Sequence, residues 1–200
     1  MFVAVFGWVA AAIGVASNLP QLLRILTART SAGVSVRLWQ VTAASTAAWC
    51  VHGFLVSAPQ MQWPNLLMSL LASIIVVLVL RDRREPVLRQ FLLPTLVALA
   101  LIASNVWFGP LVFGLLVAVP QLMGQFSQLR LMLGAPDLTG VSLGYLTVIL
   151  LVQAMWFVFG LATTDWALIV CAGSMVVICT INLTVYLVRR ARHRRLALAV

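Results

Sequence analysis

The sequence carries very little charge for its length. Only 8% of its 200 residues are charged, four of these are acidic, and lysine is absent altogether. Soluble domains contain roughly a quarter charged residues, so a water-soluble fold of this size could not cover its surface with so few. The composition therefore excludes a soluble enzyme, a disordered tail and a collagen-like fibre.

Cysteine is also scarce, and its placement favours neither disulfides nor metal sites. The three cysteines lie inside apolar runs, with neither Cys-x-x-Cys nor Cys/His spacing. We interpret them as free buried thiols and expect no disulfide, metal or other cofactor. The apolar runs contain no Ser/His or paired-Asp arrangement, so we expect no catalytic residues and no enzymatic activity.

The sequence is instead rich in apolar residues. Hydrophobic residues make up 63% of the chain, and the mean hydropathy is +1.09. A spanning helix needs about 20 residues, which limits the chain to about six to eight spans. The runs are continuous rather than alternating, which favours helices over a β-barrel. We predict an all-α membrane protein with seven transmembrane helices, at residues 2–26, 36–56, 62–80, 87–106, 110–133, 143–161 and 166–188.

All thirteen basic residues are arginine, and they account for the formal net charge of +9. They lie between apolar runs rather than in one patch, so we expect no nucleic-acid partner. Alternate connectors and the C-terminus hold all of them. By the positive-inside rule the N-terminus is outside and the C-terminus is cytoplasmic, which requires an odd number of spans. The four groups are Arg24, Arg29 and Arg37; Arg81, Arg83, Arg84 and Arg89; Arg130; and Arg189, Arg190, Arg192, Arg194 and Arg195.

A set of motifs occurs twice in the same order. The pair Pro20-Gln21 returns as Pro120-Gln121. Four further residues return at one common separation along the sequence, which we call the repeat offset. The repeat offset exceeds the separation of the two Pro-Gln pairs, so the second copy holds seven additional residues after its Pro-Gln pair. The four residue pairs that define it are Gly33 and Gly140, Ser35 and Ser142, Trp49 and Trp156, and Gly53 and Gly160.

Both copies begin on a span that runs from outside to inside, so the repeat is parallel. Two three-helix units are parallel only if an odd number of helices separates them, and the fourth span supplies that inversion. We therefore predict a 3+1+3 architecture. The first triple-helix repeat covers residues 1–80, the linker helix 81–108, the second repeat 109–188 and a basic cytoplasmic tail 189–200.

With these motifs the sequence resembles the PQ-loop (MtN3/saliva) membrane proteins, and within them the SWEET sugar facilitators. Each half resembles the SemiSWEETs, which dimerise to make the same pore. The resemblance covers residues 7–188. It implies passive uniport of neutral mono- or disaccharides by alternating access.

One chain with two halves completes such a pore, so no protein partner is required, although a homo-oligomer is compatible with the sequence. The bilayer and a small neutral sugar are the expected partners. A composition rich in Ala, Val, Leu and Arg points to a bacterial cell (inner) membrane.

The two Pro-Gln pairs are candidate hinges. A proline inside a helix lacks its N–H and clashes with the carbonyl four residues back. Static kinks of this kind are common in membrane helices, but prolines at the same place in both halves also fit rocking between inward-open and outward-open states. Gln21 and Gln121 can bond the freed backbone or a neighbouring helix. The resemblance implies that the helices of Pro20 and Pro120 surround the pore and bend during transport.

Trp49 and Asn65 form the candidate substrate site of the first half, at matching depth on the second and third spans. An indole ring stacks on the C–H face of a sugar, and a carboxamide exchanges hydrogen bonds with hydroxyl groups. The alternatives are interface anchoring for the tryptophan and helix–helix bonding for the asparagine. The resemblance favours a sugar site, because the SemiSWEETs place their sugar-contacting Trp and Asn sixteen residues apart, as here.

The second half departs from this pattern. Trp156 matches Trp49, but the residue sixteen positions later is Ala172. Ser174 is the nearest polar side chain there, and Gln153 lies on the same helix face as Trp156. We include all four in the predicted substrate site, which is then asymmetric and either takes a larger ligand or has weakened.

Three further residues near these positions have simpler interpretations. Ser45, one turn before Trp49, is a candidate pore residue, but the run 43–48 around it is rich in small residues, which equally predicts close helix packing. We do not expect His52 to bind a ligand. We expect Asp165 to cap the helix that begins at Trp166.

The spans contain no Asp, Glu or Lys at mid-depth, whereas proton or sodium coupling uses such groups. This favours a passive transporter of a neutral solute. Two alternatives remain: a PQ-loop transporter of another small solute such as an amino acid, and a non-transporting PQ-loop receptor. A charged substrate calls for charged or strongly polar residues and a receptor for a ligand-specific polar patch, and the sequence shows neither.

Overall fold

The structure is a computed structural model that describes residues 2–16, 19–135, 137–138 and 141–198, with side chains as far as residue 191. Within these residues every regular element is a helix, as the apolar runs predict. The helices are α1 (Phe2–Ala16), α2 (Leu19–Ala28), α3 (Val36–Leu55), α4 (Pro59–Asp82), α5 (Val87–Gln90), α6 (Leu92–Phe108), α7 (Pro110–Gly134), α8 (Leu143–Thr163) and α9 (Trp166–Leu198).

Among the described residues, six helical segments are long and apolar enough to cross a membrane, so the chain is a multi-pass membrane protein. Large apolar side chains such as Leu96, Leu99 and Val106 of α6 are more than half exposed, as lipid-facing positions should be. The six segments are Phe2–Ala28, Pro59–Asp82, Val87–Phe108, Pro110–Gly134, Leu143–Thr163 and Trp166–Ala191.

Helix α3, predicted as the second span, is not among the six, although it is 20 residues long. Three of its polar side chains, Gln40, Thr46 and His52, are buried and hydrogen-bonded inside the protein. The helix packs against both α4 and α6. Its lower hydropathy therefore goes with a surface of which a large part is covered by the rest of the protein.

Most helix ends lie within four residues of their predicted positions. Helix α4 begins three residues early, at Pro59, because a proline at the first helical position loses no hydrogen bond. The clear exception is α9, which continues to Leu198 and so carries ten residues beyond the predicted end at Val188. Arginine is a good helix former, and no glycine or proline follows Gly173 to end the helix.

The chain forms two compact units, Met1–Phe113 and Gly114–Val200. In the first unit α4 packs against α1, α2 and α3, so the third long helix lies between the first and the second. Helix α6 packs on the other side of this group, against α3. The core of the unit consists of Ile25, Val34, Trp39, Ala43, Ala72, Ile75, Val76, Val79 and Leu80.

In the second unit α9 is likewise the helix that both others contact. Helix α8 packs against α9. Helix α7 reaches α9 at Gly114, where a Cβ atom would lie 2.7 Å from the Cα of Ala167, so only glycine permits the approach. Both units therefore share one packing order, with the third helix in contact with the first and the second.

Helices α3 and α8 begin in the same way. The hydroxyl of Ser35 accepts a hydrogen bond from the N–H of Leu38 at 3.3 Å, and that of Ser142 accepts one from Tyr145 at 3.2 Å. Both serines have extended backbone, with φ of −81° and −85°. These are N-caps, which satisfy a helix N–H that has no partner within the helix. They are separated by the repeat offset.

The turn before the first cap needs its glycine. Gly33 has φ of +77°, which side-chain-bearing residues rarely adopt. The N–H of Val34 closes the turn on the carbonyl of Ser31 at 3.0 Å. The counterpart of this glycine, Gly140, lies outside the described residues.

The contact between α3 and α4 recurs between α8 and α9. A Cβ atom at Gly53 would lie 2.9 Å from the Cβ of Met61, and one at Gly160 would lie 2.8 Å from the Cβ of Leu168. These separations are shorter than any real Cβ contact. The contacting residues Met61 and Leu168 are themselves separated by the repeat offset, so the sequence repeat corresponds to a repeated crossing of two helices.

Candidate functional site

Trp49 lies in α3, within a cluster of three rings that we call the aromatic cluster (Trp49, His52 and Phe113). The indole centroid is 4.9 Å from that of Phe113, at 70°, and 5.5 Å from that of His52, at 81°. The rings of His52 and Phe113 are 5.2 Å apart. Edge-to-face contacts of this kind place ring hydrogens against a π face. The indole is only 9% exposed, so the packing within the first unit covers almost all of it.

The histidine of the aromatic cluster is held from another helix. The carboxamide nitrogen of Asn105, on α6, lies 2.9 Å from Nδ1 of His52. An amide nitrogen donates, so this contact is a hydrogen bond in the His52 tautomer that carries its ring proton on Nε2. His52 is 1% exposed and Asn105 is 6% exposed, so this polar pair is fully inside the first unit.

Asn65 lies in α4, half-buried, and its carboxamide nitrogen donates to the carbonyl of Met61 at 2.9 Å. Trp49 is one turn before Gly53, and Asn65 is one turn after Met61, the residue against which Gly53 packs. The two candidate residues therefore flank one helix contact, each one turn away from it. Their role in binding stays a prediction.

In the second unit the same construction places Trp156 one turn before Gly160 and Ala172 one turn after Leu168. Trp156 is half-buried, and its ring meets Phe159 edge-on at 5.7 Å and 83°. Ala172 is 2% exposed, so packing rather than open space surrounds the position that lacks the amide.

Ser174 and Gln153 are the two other candidates of the second unit. The hydroxyl of Ser174 donates to the carbonyl of Cys171 at 2.8 Å, which directs it to its own helix. Gln153 is half-buried on α8. The structure does not join either of them to Trp156 by a described contact.

The Pro-Gln pairs lie in α2 and α7. Both prolines are exposed, and α7 continues through Pro120 as helix. The carboxamide nitrogen of Gln121 donates to Sγ of Cys171 on α9 at 3.8 Å, which is the interhelical bond allowed by the sequence. That of Gln21 is buried without a hydrogen-bond partner among the described residues. The counterpart of Cys171 in the first half is Pro64, whose side chain accepts no hydrogen bond.

Ser45 is half-buried in α3. The small residues around it are packed: Ala43, Ala44 and Ala48 are at most 5% exposed. The hydroxyl of Ser69 on α4 also donates to the carbonyl of Ala43 at 3.0 Å. Close packing of α3 and α4 is thus confirmed for this run, and a pore role for Ser45 stays a prediction.

Asp165 caps α9, as predicted. Its Oδ1 accepts hydrogen bonds from the N–H groups of Ala167 at 3.0 Å and Leu168 at 3.3 Å. Among the described residues no group of three His, Cys, Asp or Glu side chains could hold a metal ion.

Three polar or aromatic features were missed by sequence reasoning. These are Asn105, Phe113 and the buried pair Gln125–Asn182, in which Nδ2 of Asn182 donates to Oε1 of Gln125 at 2.8 Å. A carboxamide inside an apolar run is itself a signal, because lipid offers it no hydrogen bonds. What the sequence does not give is the partner of each.

No protein-family model and no curated protein sequence matches the chain.

Proposed function

We propose that the protein is a membrane transporter, a passive facilitator of neutral mono- or disaccharides that works by alternating access. In this proposal it has the PQ-loop architecture of the SWEET facilitators, with two parallel triple-helix bundles and one inverting helix. The cell membrane of a bacterium is the proposed location.

One observation carries the proposal: the local geometry of the helix units recurs at the repeat offset. The N-caps at Ser35 and Ser142 and the close contacts at Gly53 and Gly160 are pairwise the same. Repeated helix units in one membrane chain are characteristic of secondary transporters, in which the substrate is bound at the level of the repeat. A receptor or an enzyme has no need of two such units.

A neutral substrate follows from the chemistry at the candidate residues. Trp49 offers an aromatic face and Asn65 a carboxamide, and the neighbouring His52 and Asn105 are engaged with one another. No Asp, Glu or Lys occurs at mid-depth in the proposed spans. A sugar needs stacking and uncharged hydrogen bonds, whereas an amino acid or an ion calls for charged groups.

The proposed topology has seven spans, with the N-terminus outside and the C-terminus inside. It adds α3 to the six apolar segments, because α3 is 20 residues long and is flanked by Arg29 and Arg37 at one end only. The arginines then all lie on the cytoplasmic side.

The test is uptake of radiolabelled glucose and sucrose into proteoliposomes, with and without a pH gradient. We expect uptake that follows the sugar gradient, is insensitive to the pH gradient, and falls by at least about tenfold in Trp49→Ala and Asn65→Ala, since each loses its main contact with the solute. Trp107→Ala is the matched control, because Trp107 is 76% exposed and its ring is not part of the aromatic cluster. Absence of sugar uptake by folded protein would refute the function, and undiminished uptake in both variants would refute the site.

A further inference from the structure

We propose that Asn105 is a positioning residue for the substrate site: through His52 it fixes the orientation of the Trp49 indole. The inference rests on the proposed function only in so far as Trp49 is the stacking surface. It gives α6, expected from the sequence to be an inverting linker, a part in substrate recognition.

The argument begins with the geometry of the contact. Asn105 Nδ2 and His52 Nδ1 are 2.9 Å apart, and both side chains are at least nine-tenths buried. A buried amide and a buried imidazole lose much when the bond between them is broken, because no water is there to replace it. The bond therefore holds the imidazole in one rotamer.

The imidazole in turn limits the indole. His52 is three residues after Trp49 on α3, so the two side chains are neighbours on one helix face. Their rings meet edge-on at 81°. The ring of Phe113 contacts both, with its centroid 4.9 Å from that of Trp49 and 5.2 Å from that of His52. If the imidazole turned, the indole would lose one of the two rings that fix its plane.

This arrangement reaches across helices. Trp49 and His52 belong to α3, whereas Asn105 belongs to α6, which packs against α3. The sequence gives no other reason for a buried asparagine near the end of an apolar helix, and its neighbour Ser104 is satisfied within α6 by the carbonyl of Leu101 at 2.7 Å. Ser104 is thus a matched control: it is buried and polar, it lies on the same helix, and its hydrogen bond does not leave that helix.

The first experiment needs no sugar. The full chain is labelled with 5-fluorotryptophan in detergent, and the ¹⁹F resonance of Trp49 is assigned by its loss in Trp49→Phe. We expect Asn105→Leu to shift or broaden this resonance and to leave those of the other tryptophans in place, whereas Ser104→Ala leaves all of them unchanged. Asn105→Ser, which removes the amide without adding an apolar side chain, should give the same shift if the leucine variant does not fold. An unshifted Trp49 resonance in a folded Asn105 variant would overturn the proposal.

The second experiment is a double-mutant cycle on sugar uptake with His52→Phe and Asn105→Leu. We expect Asn105→Leu to raise KM roughly three- to tenfold in the wild-type background and to have no further effect in the His52→Phe background, because coupled residues are not additive. An equal rise in KM in both backgrounds would mean that Asn105 does not act through His52, which contradicts the proposal. If the wild-type protein transports no sugar, the proposed function fails, and the ¹⁹F result alone decides whether Asn105 positions Trp49.

Discussion

Asp82 and Arg189 occupy equivalent positions of the two repeats. Each bonds the chain that leads into the second long helix of its unit, Asp82 with a negatively charged side chain and Arg189 with a positively charged one. Oδ2 of Asp82 accepts hydrogen bonds from the N–H of Ser31 at 2.8 Å and from its hydroxyl at 2.6 Å. Arg189 instead donates to the carbonyls of Met132 and Ala135, the latter at 2.8 Å. The end of α4 thus fixes the connector between α2 and α3, and Arg189 of α9 fixes the last turn of α7 and the residue that follows it.

This relationship predicts the effect of changes at Asp82. Asp82→Leu removes both acceptor contacts and should lower the thermal midpoint of the purified protein. Asp82→Asn keeps one oxygen that can accept and should lie between the leucine variant and the wild type. The measurement is thermal unfolding in detergent, followed by size-exclusion chromatography. The same midpoint for all three proteins would show that the contact does not stabilise the connector.

The glycine contacts predict a contrast between helix positions. Gly53→Ala and Gly160→Ala each force a Cβ to within 3.0 Å of the facing helix, which should destabilise the fold by about 1–3 kcal/mol. Gly124→Ala, also within a helix but with no atom within 4 Å of the new Cβ, should be neutral or stabilising by up to about 1 kcal/mol. Unfolding in a denaturing detergent measures all three. Equal effects at Gly53 and Gly124 would contradict the close approach of α3 and α4.

The buried amides of the second unit predict that substitutions at Gln125 and Asn182 have strongly coupled effects on stability. Gln125 and Asn182 are 6% and 0% exposed, and the aligned residues of the first half, Ile25 and Ile75, are both members of its apolar core. Asn182→Ile alone leaves the Gln125 amide buried without its donor and should cost about 1–3 kcal/mol. Adding Gln125→Ile should recover much of this loss, because the double variant copies the apolar solution of the first unit. Simple addition of the two effects in the unfolding free energy would contradict the pair.

If α3 crosses the membrane, the residues beyond its two ends lie on opposite sides of it. Thr30 and Ser57 lie just beyond its two ends, and both are exposed. In a variant whose three native cysteines are replaced by alanine, Thr30→Cys should react with a membrane-impermeant thiol reagent only from the cytoplasmic side and Ser57→Cys only from outside. Labelling of both from one side of intact cells would remove α3 from the spans and with it the seven-span topology.

Signals that act within a few residues were readable from the sequence. The starts of α3 and α8 agree with the predicted ones, because the apolar runs begin directly after Ser35 and Ser142, which are N-caps in the structure. The cap at Asp165 is local in the same sense. The repeat was also readable, because its motifs mark the positions where glycine and serine are structurally required.

Features that depend on distant residues were not readable. His52 and Asn105 are 53 positions apart, and Gln125 and Asn182 are 57 apart, so the pairing follows only from how the helices pack. The extension of α9 to Leu198 was missed because the boundary was placed where hydropathy falls. Arginine ends an apolar span, but it does not end a helix.

The most direct test of the central claim is sugar counterflow. Proteoliposomes preloaded with unlabelled glucose or sucrose are diluted into a trace of the same labelled sugar. A facilitator that alternates between two states should give transient accumulation of label in the wild type and in Trp107→Ala, and little or none in Trp49→Ala. Folded wild-type protein that accumulates no label, or a Trp49→Ala variant that accumulates as much as the wild type, would contradict the account.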